Sequence, residues 1–394
     1  MDIKTIDKNN LCLGCGICES LAGRKSISMK LQDDGFYHPV IQSLSNEKQN
    51  IITNLCPGTN IINQNKFGIK DNIWGKILKL STGYSTENDI RERGSSGGVI
   101  SAIAIYLLEN KIVDGILQVG SNITDYTQNK LKISRNREDV LNCASSRYAP
   151  ALVFNEIFDI LKNNDEKYCF IGKPCDVAAL NNILKKFPQY KIKIKYKIAF
   201  FCAGMPSFNG TEKAINILNA EKPVYNLYYR GNGWPGYFSF KDNTGKTYQM
   251  SYKESWGNIL GKHIHYRCKI CPDGIGLQAD IVVGDAWETV DGYPDFTEKE
   301  GKSLIIARNI IGFTLLNTIE ASGKIITEEI SIDKLKKIQP TQFDRRKIVL
   351  ARLGALLIKK RIILNFKNMK LLYNVLTISP RRFFNQFKGT IKRT

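Results

Sequence analysis

The stretch Tyr168-Cys169-Phe170-Ile171-Gly172-Lys173-Pro174-Cys175 joins a short apolar run to a turn that contains glycine and proline. The run predicts a buried strand, and the apolar residues Ala178, Leu180 and Ile183 predict a helix directly after the turn. Further strands are predicted at 112–119, 195–201, 279–283 and 303–307, helices near 97–109 and 211–218, and an antiparallel region at 225–252. Strands that alternate with helices favour helices packed on a sheet, so the predicted fold class is α/β, of a mixed α+β kind.

A group of cysteines near the N-terminus has the spacing of a cluster ligand set. Cys12, Cys15 and Cys18 form a C-x2-C-x2-C run, and Cys56 stands before Pro57. A fourth cysteine followed by proline completes the bacterial ferredoxin pattern. No cysteine occurs between 19 and 55, so the simplest count is one 4Fe–4S cluster held by all four. Zinc is the alternative, but structural zinc usually takes paired Cys-x2-Cys or Cys/His units, and the sequence therefore favours iron–sulfur.

A second group of candidate ligands is more widely spread, at Cys175, Cys202, Cys268 and Cys271. His263 and His265 precede the last pair, and this grouping would also suit tetrahedral zinc. Spacing alone favours neither metal here. The other two cysteines, Cys143 and Cys169, are interpreted as small apolar residues.

The composition is that of a globular protein, with 43% hydrophobic and 24% charged residues in a chain of 394. Residues 1–10 lack the apolar core of a secretory signal, and no apolar run reaches the ~18 residues of a membrane-spanning helix. Ten cysteines in such a chain indicate a reducing compartment and metal ligation rather than disulfides. We therefore expect a cytoplasmic protein.

The positive charge is concentrated at the C-terminus. Residues 345–394 contain fourteen Lys and Arg and no Asp or Glu, out of a net charge of +20 for the chain. Leu350, Leu353 and Leu357 keep helical spacing, and aromatic residues are interspersed near the end. Such a basic helical tail can contact the inner face of a membrane peripherally, or it can pack on the body and keep its charges in water. Nucleic acid is not an expected partner, because no nucleic-acid motif accompanies the charge.

A glycine-rich turn precedes the helix predicted near 97–109. It contains Ser95, Ser96, Gly97 and Gly98. Small residues at a helix start leave backbone N–H groups free to hold a phosphate or the pyrophosphate of a flavin nucleotide. The alternative is an N-cap in which glycine permits close packing.

Six motifs in a fixed order give the chain a resemblance to a known family. They are 94–99 (Gly-Ser-Ser-Gly-Gly-Val), 145–148 (Ser-Ser-Arg-Tyr), 170–175 (Phe-Ile-Gly-Lys-Pro-Cys), 202–207 (Cys-Ala-Gly-Met-Pro-Ser), 268–271 (Cys-x-x-Cys) and 279–287 (Ala-Asp-Ile-Val-Val-Gly-Asp-Ala-Trp). Together they resemble the coenzyme F420 hydrogenase/dehydrogenase beta-subunit family from about residue 74 to 308. The N-terminal module resembles the ferredoxin-like extension found in many members, and the tail lies outside the resemblance.

The resemblance implies an iron–sulfur flavoprotein, usually with FAD. It implies that Cys175, Cys202, Cys268 and Cys271 ligate a second 4Fe–4S cluster. It also implies which residues line the flavin: Ser95, Ser96, Gly97, Gly98, Ser146, Arg147, Tyr148 and Lys173. Arg147 or Lys173 would stabilise the reduced flavin. Two departures concern the substrate pocket: Ala203 stands where many members have histidine, and Ala286 replaces a common aromatic residue.

The predicted organisation is a ferredoxin-like module at 1–65, a flavin-binding part at 74–150, a part with the second cluster at 151–340 and the tail at 345–394. The predicted function is an oxidoreductase that passes electrons between a flavin and two 4Fe–4S clusters and acts on a small molecule, coenzyme F420 or another reducible compound. A protein electron-transfer partner is also expected. The alternatives are a non-catalytic electron-transfer subunit and a zinc-stabilised binding or scaffold protein.

Overall fold

The fold is described from a computed structural model that covers residues 1–65, 68–122, 124–290 and 293–393. The elements of the N-terminal region are α1 (Ile3–Lys8), α2 (Ile17–Ala22), β1 (Ile27–Leu31), β2 (Tyr37–Ile41), α3 (Asn46–Leu55) and β3 (Asn60–Ile62). Those up to residue 142 are β4 (Ile69–Asp71), β5 (Gly75–Ile77), β6 (Lys79–Ser85), α4 (Asn88–Arg93), α5 (Val99–Glu109), β7 (Gly115–Gly120), β8 (Lys130–Ser134) and α6 (Arg137–Asn142).

The middle of the chain contains α7 (Ile157–Asn163), β9 (Tyr168–Gly172), α8 (Pro174–Lys186), β10 (Ile194–Phe200), α9 (Phe208–Ile217), β11 (Tyr225–Tyr228), β12 (Phe238–Lys241), β13 (Thr247–Met250), α10 (Tyr266–Lys269), β14 (Ile281–Asp285), β15 (Thr289–Val290), β16 (Tyr293–Pro294), β17 (Ser303–Ala307), α11 (Ile310–Ala321) and β18 (Ile325–Glu329). The C-terminal elements are α12 (Ile332–Ile338), α13 (Pro340–Lys360), β19 (Asn365–Lys367), α14 (Leu371–Val375) and α15 (Pro380–Ile391). Two 3₁₀ helices span Pro188–Lys193 and Leu260–His263, and a π-helix spans Lys253–Ile259.

The largest sheet within these ranges has eight strands in the order β18-β6-β17-β14-β10-β9-β7-β8. Its centre, β14-β10-β9-β7, is parallel, and antiparallel pairs extend it at both sides. The mixed α/β fold class is confirmed. The predicted strands 168–171, 195–201 and 303–307 correspond to β9, β10 and β17 within one or two residues, and the predicted antiparallel region contains β11-β12-β13.

The two faces of this sheet are covered by separate apolar layers. On β9, Tyr168 and Phe170 join one layer while Cys169 and Ile171 join the other, as the two-residue period of a strand requires. Cys169 is fully buried there, as expected of a small apolar residue. The sheet takes strands from both predicted parts of the body, β6 to β8 and β9 to β18, so the division at 150 stays a prediction.

The C-terminal segment is integrated into the fold. β19 pairs in parallel with β3 of the N-terminal region, and Leu356 and Ile362 pack with Ile6 and Leu11 beside Cys12 and Cys56. The expectation that a packed tail keeps its charges in water is wrong for Arg346, which is buried and bonds three backbone carbonyls. Helix α13 begins at Pro340, five residues before the predicted start of the tail.

In the part of the chain described, no helix is long and apolar enough to cross a membrane.

Candidate redox-cofactor site

The N-terminal cysteines converge on one small cavity. Cys12, Cys15, Cys18 and Cys56 all line a space of about 30 Å³, whose other walls are mainly apolar. The loop that holds the first three turns at Gly14 (φ +64°) and Gly16 (φ +82°), where side chains would meet Tyr37 and Asn155 at 2.9 Å. Burial, and then the neighbouring cysteines, raises the pKa of the Cys12 and Cys18 thiols. Thiolates here therefore need a compensating positive charge.

The second group is assembled from separate segments of the chain. Cys175 lies in the first turn of α8 after β9, Cys202 follows β10, and the pair Cys268 and Cys271 lies in and after α10. All four line a second cavity of about 20 Å³. Burial, and then the nearby Cys268, raises the pKa of Cys202 to about 12.

The histidines before this pair do not reach the second cavity. His265 accepts a hydrogen bond from the Arg267 backbone N–H at 3.1 Å and packs edge-on against Phe36. Burial, followed by the nearby charges of His38 and Arg267, lowers the pKa of His265 to about 4. Within the described ranges, no three Cys, His, Asp or Glu side chains are placed to hold a single metal ion.

A third, larger cavity of about 200 Å³ lies at the carboxyl ends of the parallel strands β7, β9, β10 and β14. This is the edge at which open α/β sheets usually bind ligands. Most of the predicted flavin residues line it, namely Ser95, Ser96, Gly98, Ser146, Arg147, Tyr148 and Lys173. The serine Oγ atoms of the first and second motifs, Ser95 and Ser146, are 2.8 Å apart.

Gly97 lies outside the lining of this cavity. Its N–H donates to Ser303 Oγ at 2.9 Å, and a Cβ there would come within 2.5 Å of the Gly83 carbonyl oxygen. Its lack of a side chain is explained by close packing against β6 and β17. Gly98, the N-cap of α5, has a φ of +71° and does line the cavity. Close packing therefore accounts for Gly97, and the binding of a phosphate or pyrophosphate at the turn stays a prediction.

The cations around the large cavity differ in whether they have a carboxylate partner. Lys173 Nζ lies 2.8 Å from Asp176 Oδ2, and Arg230 makes two 2.9 Å bonds to Asp285. Arg147, by contrast, donates only from Nη1 to the Leu227 carbonyl at 3.4 Å, and its buried Nε has no partner among the described residues. Burial lowers the pKa of Arg147. Arg147 therefore keeps an unused donor beside the cavity.

The second cysteine cavity has wall residues in common with each of the other two cavities. Lys173, Cys202 and Met205 line both the large cavity and the second cysteine cavity. Leu13 lines both cysteine cavities. Arg267 is buried between the two groups and donates to the carbonyls of Pro57 and Gly58, directly after Cys56. A group bound in the large cavity would be one side chain away from the second cysteine set.

Several residues at these sites were not predicted from the sequence. Arg230 and Cys143 line the large cavity, and Arg345 lines the second cysteine cavity. Arg267 was not predicted either, although its position next to Cys268 in the sequence could have indicated a residue of this site. Of the two departures from the family pattern, Ala203 lines the large cavity, whereas Ala286 is buried outside its lining.

Two family models match the chain. Residues 80–157 match the N-terminal part of the coenzyme F420 hydrogenase/dehydrogenase beta subunit, and residues 165–333 match its C-terminal part. Together they match more than half of the 394 residues. The chain belongs to this family. The resemblance stated from the six motifs is therefore confirmed.

Several curated relatives are oxidoreductases or their subunits. The chain is 27% identical over 286 residues to a coenzyme F420-dependent sulfite reductase of Methanocaldococcus jannaschii, with 66% of this chain but only 40% of that protein matched. It is 24% identical to a coenzyme F420 hydrogenase subunit beta of Methanococcus voltae, over 65% of this chain and 86% of that one. It spans 63% of the length of an F420-dependent formate dehydrogenase 1 subunit beta of Methanococcus maripaludis, at 26% identity.

A solved structure shares the fold. It is a chain of the F420-reducing [NiFe] hydrogenase complex from Methanosarcina barkeri, with a TM-score of 0.55 and 20% sequence identity, covering 76% of this chain and 97% of that one.

Proposed function

We propose that the chain is an iron–sulfur flavoprotein oxidoreductase that passes electrons between a flavin in the large cavity and two 4Fe–4S clusters, one in each cysteine cavity. The observation that carries this proposal is the series of shared walls, Lys173, Cys202 and Met205 on one side and Leu13 on the other. A flavin can accept two electrons as a hydride and release them one at a time, and a cluster takes one electron, so this set would convert pair transfer into single-electron transfer.

The donor set of each cavity fits the group proposed for it. Four cysteines around one small space suit a 4Fe–4S cluster, which takes four thiolate ligands. In the large cavity, the unused Arg147 Nε, the unpaired Ser145 Oγ and the start of α5 suit an anionic nucleotide such as FAD. Lys173, between this cavity and the second cysteine set, keeps its pairing with Asp176; burial alone would lower its pKa, but the carboxylate raises it.

The substrate that we propose is a small redox compound of the coenzyme F420 type. The three relatives described above, which are coenzyme F420 enzymes or their subunits, support this class. Ala203, which has a small and exposed side chain on the cavity wall, leaves room for a substrate beside the flavin.

The deciding measurement is iron, sulfide, zinc and flavin content per chain, on protein purified without oxygen. We expect about eight irons and one flavin per chain, as two four-iron clusters require. Zinc without flavin would contradict the proposal and favour the zinc-stabilised scaffold. The cytoplasmic location stays a prediction.

A second candidate is a non-catalytic subunit that delivers electrons to a separate enzyme. The structural relative from a hydrogenase complex and the relatives named as beta subunits favour this candidate and a protein electron-transfer partner. Reduction of coenzyme F420 by the isolated, reduced chain separates the two candidates. Turnover supports the enzyme, and its absence with intact cofactors supports the subunit.

Peripheral membrane contact through 345–394 also stays a proposal. Exposed apolar side chains, Leu376 at 81% and Phe384 at 56% exposure, lie near the exposed cations Arg381 and Lys388. Each cation near an anionic surface contributes about 1 kcal/mol to the free energy of membrane binding. A chain with both Arg381→Gln and Lys388→Gln should therefore sediment less with anionic vesicles. Equal partitioning of the variant and the parent chain would remove the membrane proposal.

A further inference from the structure

The inner face of α13 bonds directly to the backbone of the second cysteine set. Arg345 Nη1 donates to the Cys202 carbonyl at 2.9 Å, and Nη2 donates to the Cys268 carbonyl at 2.6 Å. Gln342 Nε2 donates to the same Cys202 carbonyl at 3.1 Å. Two ligand segments that are far apart in sequence are thus held by one guanidinium group, whose planar fork has a fixed geometry.

Backbone contacts also join these segments, mostly a few residues away from the ligands. Cys202 lies just beyond β10 and outside any helix or strand, and Cys268 lies in the four-residue helix α10. The His265 N–H donates to the Met205 carbonyl at 2.9 Å, Pro206 and Ile264 form a backbone bridge, and the Cys202 N–H donates to the Gly274 carbonyl at 2.8 Å. Arg345 adds a side-chain tie made directly to the carbonyls of two of the four ligand residues, and its loss should loosen their relative position.

Arg345 also brings a charge that no carboxylate pairs with within the described ranges, as does Arg267 on the same cavity wall, whereas Lys173 there is paired with Asp176. Arg345 lines the cavity itself. Its guanidinium remains ionised under all ordinary conditions. A permanent, unpaired cation beside the site favours whichever redox state carries more negative charge.

We propose that Arg345 is the positioning residue of the second cluster site: it joins the Cys202 and Cys268 segments and raises the reduction potential of the group they hold. This inference rests on the proposed function, because it requires a cluster in that cavity. The residue lies beyond residue 333, where the family match ends, so the site is completed by a helix outside the matched ranges.

The test compares two substitutions in the full chain, purified without oxygen. Arg345→Gln removes both the charge and the fork, whereas Arg345→Lys keeps the charge but cannot bond both carbonyls in the same way. Lys359→Gln is the control, because it removes one exposed cation from the last turn of the same helix. The readouts are the midpoint potential of each cluster in an EPR-monitored titration and the rate of iron release to a chelator.

We expect Arg345→Gln to lower the midpoint potential of the second cluster and to leave that of the first unchanged. Arg345→Lys should retain the potential of the second cluster, yet both Arg345 variants should lose iron several-fold faster than the parent chain and the Lys359→Gln control. A parent chain with two clusters, together with an Arg345→Gln variant of unchanged potential and iron-release rate, would overturn this inference alone. A parent chain without the second cluster would overturn both this inference and the proposed function.

Discussion

The two cysteine sets reach similar cavities by different routes. In the N-terminal set, three cysteines share one loop, and the fourth follows α3 in the same small region. In the second set, the cysteines come from the ends of β9 and β10 and from α10, and α13 holds two of these segments in place. The relative positions of the cysteines in the N-terminal set depend on the geometry of one loop. Those in the second set depend on how the strands of the whole sheet are placed. The second set should therefore be the more sensitive to distant changes.

The largest effect is expected from Cys268→Ser. Losing this ligand should remove the second cluster, about four irons per chain, and interrupt the path between the large cavity and the first cluster. Single-turnover reoxidation of the reduced flavin, followed by absorbance, should slow strongly. Cys169→Ser, which changes a cysteine outside both sets and outside the lining of the large cavity, should keep its iron. An unchanged transfer rate in Cys268→Ser would rule out a relay through the second site.

The next effect is expected from Cys12→Ser, which should remove the first cluster and leave the flavin bound. The first cysteine cavity shares no wall residue with the large cavity among the described residues, so the flavin site should be untouched. Iron and flavin content of the purified variant measure this directly. Loss of flavin with retention of all iron would contradict the separation of the two sites.

A moderate effect is expected from Arg147→Met in the large cavity. The substitution removes a charge-assisted hydrogen bond from Arg147 to the flavin, which would contribute about 1.5–3 kcal/mol to the free energy of binding. Flavin affinity should therefore fall roughly ten- to a hundredfold. Equilibrium dialysis of FAD against the apoprotein measures the change. Arg135→Met is the control, because Arg135 pairs with Glu166 at 2.8 Å on an exposed part of the molecule. Equal affinity in the two variants would mean that Arg147 does not contact the flavin.

The smallest effect concerns the stability of the N-terminal region. His38 lies between Asp7 at 2.7 Å and Asp34 at 3.0 Å, and the hydrogen bond to Asp7 raises the pKa of His38 to about 9, although burial opposes this. A raised pKa means that the stabilisation is fully present below the unfolded value of about 6.5 and is lost as the pH rises through about 9.

His38→Gln should therefore destabilise the chain near pH 6 and have little effect near pH 10. Denaturant unfolding of the parent chain and the variant at both pH values measures the difference. A penalty that is the same at the two pH values would show that the charged form of His38 is not what stabilises the region.

The sequence predicted the central strands well and the edges of the sheet poorly. β9, β10 and β17 are buried apolar runs, and such runs are visible in a single sequence. β6, β8 and β18 were not predicted. β6 carries serine, threonine and glycine, and β18 is largely exposed, so neither shows a clear apolar pattern. The place of β6 and β18 in the sheet is decided by pairing with each other and with β17.

The sequence by itself determined the fold class, the spacing of Cys12, Cys15 and Cys18, and the motifs that indicate the family, because each is a pattern of residues close together in the chain. The tertiary structure decided which distant residues meet. It placed Gly97 against the sheet and Gly98 at the cavity, left the histidines out of the second cysteine set, and brought Arg345 from the C-terminal segment to that set. The physical reason is that contacts between distant segments arise from packing on a shared core, which no local pattern of residues specifies.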